Sequence, residues 1–479
     1  MRFTMRRSTA YLGLASTIAI LAGGLGCAAE KPRLATQSVP VVAHSAAHSS
    51  TVGPRRGGSH VRLASAEEPK IAGNWPVESL PAMEELALAG NPSVRRMREE
   101  AAAEWARAGY ARKLPDPTLS SMFYLPPMNF EPDRQVAEVQ VMQMLPWLGR
   151  LSAEAQRAHL EALAAENLLR AEQLRVIGDL RGTWARLYVI GKQIAITEAE
   201  MAQLESLVST ANARVAAGDA QPGDVLMGTL EWSSLQEQLL AYRQQLISTQ
   251  VELNRIVGRD ADTPVPVPDQ IKARLPLWDC DLLRAAAMKG HPELTAARLR
   301  TAATQCGLEV ARLKRRPDIA LGGGWVSMDA PSATTADAGR DVWTLGVSTS
   351  LPIWGKKNDA MVSEAWHQHR AANAGEEEVG QRINAAVRDL WEQAQAGQRT
   401  VELYERSILP QARQTFEADQ KSLINNTVTF DRVIRDYRTL LNLELGYHRA
   451  VGQLAMTLAR IRQTVGVDGF SDRDLEPRL

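Results

Sequence analysis

The 479-residue sequence is poor in cysteine and aromatics and carries no excess of either charge. Three cysteines, Cys27, Cys280 and Cys306, are too few for a disulfide-stapled scaffold. Fifty-five basic residues against 55 acidic ones leave a formal net charge of zero, which removes the electrostatic case for a nucleic-acid partner. Aromatics make up only 5%, while Ala, Leu, Glu, Gln and Arg dominate, the bias of long helices. G-x-S-x-G, H-E-x-x-H, phosphate-loop and C-x-x-C patterns are all missing, so the chain reads as no enzyme, with no metal centre and no cofactor.

What the chain does have is a duplication. Gly90-Asn91-Pro92-Ser93-Val94 returns as Gly290-His291-Pro292-Glu293-Leu294. Leu145-Pro146-Trp147-Leu148-Gly149-Arg150 returns as Leu351-Pro352-Ile353-Trp354-Gly355-Lys356, and Val257-Gly258 as Val465-Gly466. The copies lie about 200 residues apart, too far for a solenoid unit and right for a doubled structural half. The expected organisation is residues 1–26 as an export signal, 27–73 as a tether, 74–270 as the first repeat and 271–479 as the second. Arg2, Arg6 and Arg7 precede an apolar stretch from Tyr11 to Leu25, as in a cleaved signal. Gly24-Leu25-Gly26-Cys27 resembles a bacterial lipoprotein box, with Gly24 where Leu is usual. Cys27 is therefore the expected lipidation site, and Ala28 after it favours the outer membrane. The remaining two thiols, Cys280 and Cys306, read either as a pair across antiparallel helices or as two unpaired buried groups.

Each half reads as helix, two short strands, then two very long helices. Strand character runs over Pro117–Leu125, Val136–Leu145, Asp318–Ser327 and Val342–Leu351. In the second of these, Val139, Val141 and Leu145 oppose Glu138, Gln140, Met142 and Met144. The Gly322-Gly323-Gly324 run is expected to relieve crowding inside a barrel. Met122, Met128, Met142, Met144 and Met328 gather at the strands. They read as gap-filling side chains, with a soft-metal relay as the alternative. The proline-free stretch from Leu151 to Gln221 predicts a helix on the order of 100 Å long. Leu235, Leu239, Tyr242, Leu246, Thr249, Leu253 and Ile256 step by fours and threes. So do Val433, Tyr437, Leu440, Glu444, Tyr447, Val451, Leu454, Leu458, Ile461 and Val465, the spacing of a coiled-coil seam. Four strands of this length cannot bury themselves, and lipid tolerates no open sheet edge, so several chains are expected to pool strands into one barrel.

The duplicated N/H-P-x-V/L starts, the Leu-Pro-x-x-Gly-Arg/Lys exits and Arg214-Val215-Ala216-Ala217-Gly218-Asp219-Ala220 followed by Asp224-Val225-Leu226 carry a resemblance. So does Ile408-Leu409-Pro410. Over Val77 to Val465 the chain resembles the TolC-like outer-membrane efflux proteins, in particular the lipoprotein channels of tripartite resistance-nodulation-division exporters. That resemblance implies a mainly α fold with a small β-barrel contribution, a homotrimer with twelve strands and twelve tunnel helices, and an outer-membrane location with a long periplasmic extension. It implies as partners outer-membrane lipid, a periplasmic adaptor and an inner-membrane pump. The adaptor is expected to meet the hairpin tips, Gly218 and Asp219 in one half and Asn425, Asn426 and Thr427 in the other. Six residues beyond each tip stand Asp224 and Arg432. With Asp431 and Arg435 they are the expected periplasmic gate, closed by an Asp224–Arg432 contact; the same charges also read as a solvated helix face. The expected function is a passive exit duct for drugs or metal ions. A type I protein secretion conduit is the rival within the fold, and a periplasmic coiled-coil scaffold the rival outside it.

Overall fold

The computed structural model describes residues 79–124, 134–218, 221–271, 273–329, 340–424 and 427–466. All of them belong to one compact unit within Ile71–Leu479. Cys27, the export signal and the tether lie outside the described residues.

The first half runs α1 (Leu80–Gly90), α2 (Pro92–Tyr110), β1 (Thr118–Phe123), β2 (Arg134–Leu145), α3 (Arg150–Ala217) and α4 (Pro222–Val257). The second repeats the order with α5 (Cys280–Gly290), α6 (Pro292–Leu313), β3 (Ile319–Asp329), β4 (Val342–Thr349), α7 (Gly355–Leu403), α8 (Leu409–Ile424) and α9 (Phe430–Val465). The predicted helix is α3, whose 68 residues span roughly 100 Å. Its counterpart is not continuous. A π-turn at Tyr404–Ile408 separates α7 from α8, immediately before Pro410, whose ring cannot accept the regular helical path past the carbonyl four residues earlier.

The repeated motifs fold onto one another. Asn91 caps α2 by accepting from the Ser93 amide at 2.8 Å, and its Nδ2 donates to the Ile256 carbonyl at the end of α4 at 2.7 Å. Gly258, at φ 80°, follows α4, and a Cβ there would lie 2.4 Å from the Gly90 carbonyl oxygen. In the second half His291 caps α6, with its Nδ1 accepting from the Glu293 amide at 3.2 Å. There Gly466, at φ 79°, packs on His291 in the same way. Each kink between two short helices is thus a seat for the end of a long one, which explains why the two distant motifs recur together.

Three apolar clusters hold the helices. One joins α1, α2, α3 and α4 through Met83, Leu180, Leu187 and Leu253. A second joins α5, α7 and α9 through Leu283, Val387, Leu454 and Ile461. The third joins the lower ends of α3, α4, α8 and α9 through Leu204, Leu235, Phe416 and Tyr437. The predicted seam positions are buried or half-buried in both α4 and α9. Cys280 is buried on α5 and Cys306 half-buried on α6, and both are free thiols, so the pairing alternative is not realised.

The strands form one antiparallel sheet in the order β1-β2-β3-β4, with β1 and β4 as edges unpaired among the described residues. Its register places Leu119, Val139, Val141, Leu321, Trp325, Trp343, Leu345 and Val347 on one face. Trp343 is 81% exposed and Leu345 90%. The opposite face carries Thr118, Ser120, Glu138, Gln140, Gly322, Gly324, Thr344 and Ser348. A Cβ at Gly324 would sit 2.7 Å from Thr344 Oγ1, and one at Gly322 would sit 3.1 Å from the Val141 carbonyl oxygen. Crowding on the polar face therefore requires these two glycines. Met122, Met142, Met144 and Met328 also lie on that face, while Met128 is outside the described residues.

Candidate functional site

The two hairpin tips lie together at the end of the helices remote from the sheet. Gly218 closes α3 in a left-handed conformation, φ 83°, with its amide bonded to the Arg214 and Val215 carbonyls. That backbone state costs an L side chain about 1–2 kcal/mol and glycine nothing comparable. Pro222 then occupies the first position of α4, where its missing N–H would be unsatisfied anyway. At the second tip the Thr427 amide and hydroxyl both donate to the Ser422 carbonyl, at 3.1 and 2.9 Å. Asp219, Asn425 and Asn426 lie outside the described residues. The tips are tied to each other, because Arg214 Nη1 donates to the Leu423 carbonyl at 3.1 Å.

The charges above the tips do not pair as expected. Arg432 binds Asp419 of α8, with Nε 2.7 Å from Oδ2, rather than Asp224. The reason is hairpin geometry: α8 and α9 run antiparallel, so residues equidistant from the tip face each other, and 419 and 432 flank it almost evenly. Asp224 sits half-buried in the first turn of α4, where a carboxylate favourably meets the helix N-terminus. Arg435 pairs with Asp431 one turn earlier at 2.8 Å, and Arg438 pairs with Glu231 of α4. The Arg432, Arg435 and Arg438 row thus binds three different acids on three elements.

Behind Arg432 two carboxyls meet. The neighbouring Asp436 carboxyl holds Asp419 below the usual carboxylate range, with Arg432 adding to the effect. Asp436 is pushed up by burial and by the neighbouring Asp419 charge. Opposite displacements of this kind mark two carboxyls close enough to disfavour ionising together. Below them Tyr437, fully buried, donates its hydroxyl to the Glu200 carbonyl of α3 at 2.5 Å. Burial also raises the Glu200 carboxyl.

Sequence reasoning found Arg432 and missed Asp419 and Glu231. The signal was available, since counting residues outward from the tip identifies the facing pair. Among the described residues no cluster of three or more His, Cys, Asp or Glu is arranged to hold a metal ion, and no helix is long and apolar enough to cross a membrane.

Comparison with known proteins agrees with this architecture. The chain is 21% identical over 245 residues to the outer membrane efflux protein BepC of Brucella suis, covering 51% of this chain and 53% of that protein. It is 23% identical over 258 residues to the cobalt-zinc-cadmium resistance protein CzcC of Cupriavidus metallidurans, covering 53% and 59%. The matches therefore span a little over half of the length of these curated relatives. The fold is similar to that of the outer membrane protein VceC of Vibrio cholerae, with a TM-score of 0.69 at 19% identity over 81% of this chain and 96% of that one. It is also similar to CusC, with a TM-score of 0.66 at 16% identity over 79% and 91%. The family profile described as outer membrane efflux protein matches residues 84–259 and 283–466, one segment in each half. The chain belongs to the outer membrane efflux protein family.

Proposed function

We propose that this chain is one protomer of a trimeric outer-membrane exit duct for a tripartite efflux pump. Three four-stranded sheets join edge to edge into a twelve-stranded barrel, and the long helices continue its wall into the periplasm. The observation that carries this reading is the sheet. It has two unpaired edges and a face of exposed Leu, Val and Trp, in a chain whose described helices contain no membrane-crossing run. In water such edges invite aggregation. In lipid they must close on other strands, because an unsatisfied backbone group there costs several kcal/mol.

Cys27 anchors the mature chain by its lipid. The tips, Gly218, Asp219, Asn425, Asn426 and Thr427, receive the hairpin of a periplasmic adaptor, which connects to an inner-membrane resistance-nodulation-division pump. The duct is passive and catalyses nothing. Its cargo is a drug or a metal ion, and the choice between them rests with the pump. Asp224, Asp431, Arg432 and Arg435 line the periplasmic constriction, now with Asp419 as the acid that restrains Arg432. The side-by-side arrangement of sheet and free edges favours this over a water-soluble coiled-coil scaffold.

Purified full-length protein in a planar bilayer tests the reading. Discrete conductance steps from a detergent-requiring trimer are expected. A monomer that stays dispersed in water without detergent and conducts nothing overturns it.

A further inference from the structure

The four connections between helix and sheet fall at one rim, because the register pairs Thr118 with Met142, Leu145 with Ile319 and Ile319 with Thr349. This rim is strongly basic in a chain of zero net charge. Of its carboxylates, Asp116 is exposed, Asp318 is bound by Arg150 at 2.7 Å and Asp359 by Arg315, which leaves the cations in clear excess. Arg112, Lys113, Lys314, Arg316, Lys356 and Lys357 are all exposed, and none has a carboxylate partner among the described residues. Leu148, Leu351, Ile353 and Trp354 stand among them, each more than 70% exposed. The apolar face of the sheet ends at this level with Ile319 and Leu321.

Cations interleaved with exposed apolar and indole side chains, at the border of a lipid-facing surface, match the chemistry of a headgroup layer. Solvent accounts for the cations but not for the apolar residues. A sister copy would bring the same uncompensated positive charge against this one. We propose that the rim binds the phosphate headgroups of anionic phospholipid in the leaflet facing the helical end of the barrel. The proposal rests on the sheet crossing lipid, and Lys and Arg there gain from an anionic surface over a distance set by salt.

The test reconstitutes the full-length protein into vesicles of phosphatidylethanolamine with a minor share of phosphatidylglycerol. Native mass spectrometry then reads the lipids retained after transfer to detergent. The parent is expected to retain phosphatidylglycerol over phosphatidylethanolamine by about tenfold. Combined Lys314→Gln, Arg316→Gln, Lys356→Gln and Lys357→Gln should abolish the preference. Replacing Lys314, Lys356 and Lys357 by Arg should keep it. A control with equal charge loss, Arg95→Gln, Arg98→Gln, Lys289→Gln and Arg300→Gln, should also keep it. Equal retention of the two lipids by the parent overturns the proposal. So does loss of the preference in the control, or displacement of the lipid by inorganic phosphate, which would mark a free-anion site. Bilayer conductance of the parent separates the two readings: a conducting trimer without lipid preference overturns this inference and leaves the duct standing.

Discussion

His291 and Asn91 occupy equivalent caps with different chemistry, and the difference is testable by pH. Nδ1 of His291 accepts from the Glu293 amide, which requires the neutral ring, and burial lowers its pKa from the usual 6.5. The unfolded chain therefore takes up the proton first, so the stability the cap contributes is present above about 6.5 and is lost as pH falls below it. His291→Asn, which copies the first-half cap, should remove this acid-dependent loss between pH 7.5 and 5.5 in thermal unfolding followed by circular dichroism. Gly258 gives the second prediction at this scale. Alanine there meets the Gly90 carbonyl from a left-handed backbone, so Gly258→Ala should cost about 1–2 kcal/mol from conformation alone, with the clash added. A lower unfolding temperature, with that of Gly109→Ala not lowered because a Cβ there meets nothing within 4 Å and alanine suits a helix better than glycine, checks it. Both positions were visible in the sequence as repeated motifs. Their mutual contact was not, because it joins residues far apart in the chain.

At the scale of elements, the α8–α9 hairpin carries the charges of the proposed constriction. Asp436→Asn removes a carboxyl that burial and Asp419 disfavour in charged form, and leaves an amide able to donate to Asp419. The raised pKa means that parent stability falls as pH climbs through the range between the ordinary carboxylate value and the folded one. The variant should therefore be the more heat-resistant at pH 7, with the gap closing in acid. Asp419→Asn instead frees Arg432, and should raise spontaneous openings severalfold in single-channel records at neutral pH. Unchanged closure would remove Arg432 from the gate. The strand pairs, the long first helix and both coiled-coil seams were legible from periodicity, since burial on one face leaves a period in sequence. The π-turn was not, although Pro410 marked the place. Periodicity shows that a helix continues, but not how its backbone absorbs a missing donor. The Arg432 partner was misassigned because equivalence between halves was used where antiparallel facing within one hairpin decides.

For the whole molecule, the proposed closure of the barrel and of the helical tube would be one event, since the same chain supplies both walls. Substituting Leu345→Asp and Val347→Asp on the exposed sheet face should prevent insertion into lipid while helix content, read by circular dichroism, remains near that of the parent. Loss of most helical signal would show that the sheet organises the helices as well. The two halves are also fastened to each other at both extremities, by Arg150 to Asp318 beside the sheet and by Arg214 to the Leu423 carbonyl beside the tips. A rail riveted at both ends has a fixed gauge. One residue added to α3 alone would extend it by about 1.5 Å and swing every later side chain through about 100°. The reach of the assembly is thus a shared dimension, one that evolution or an engineer alters only by matched insertions in both copies of the repeat.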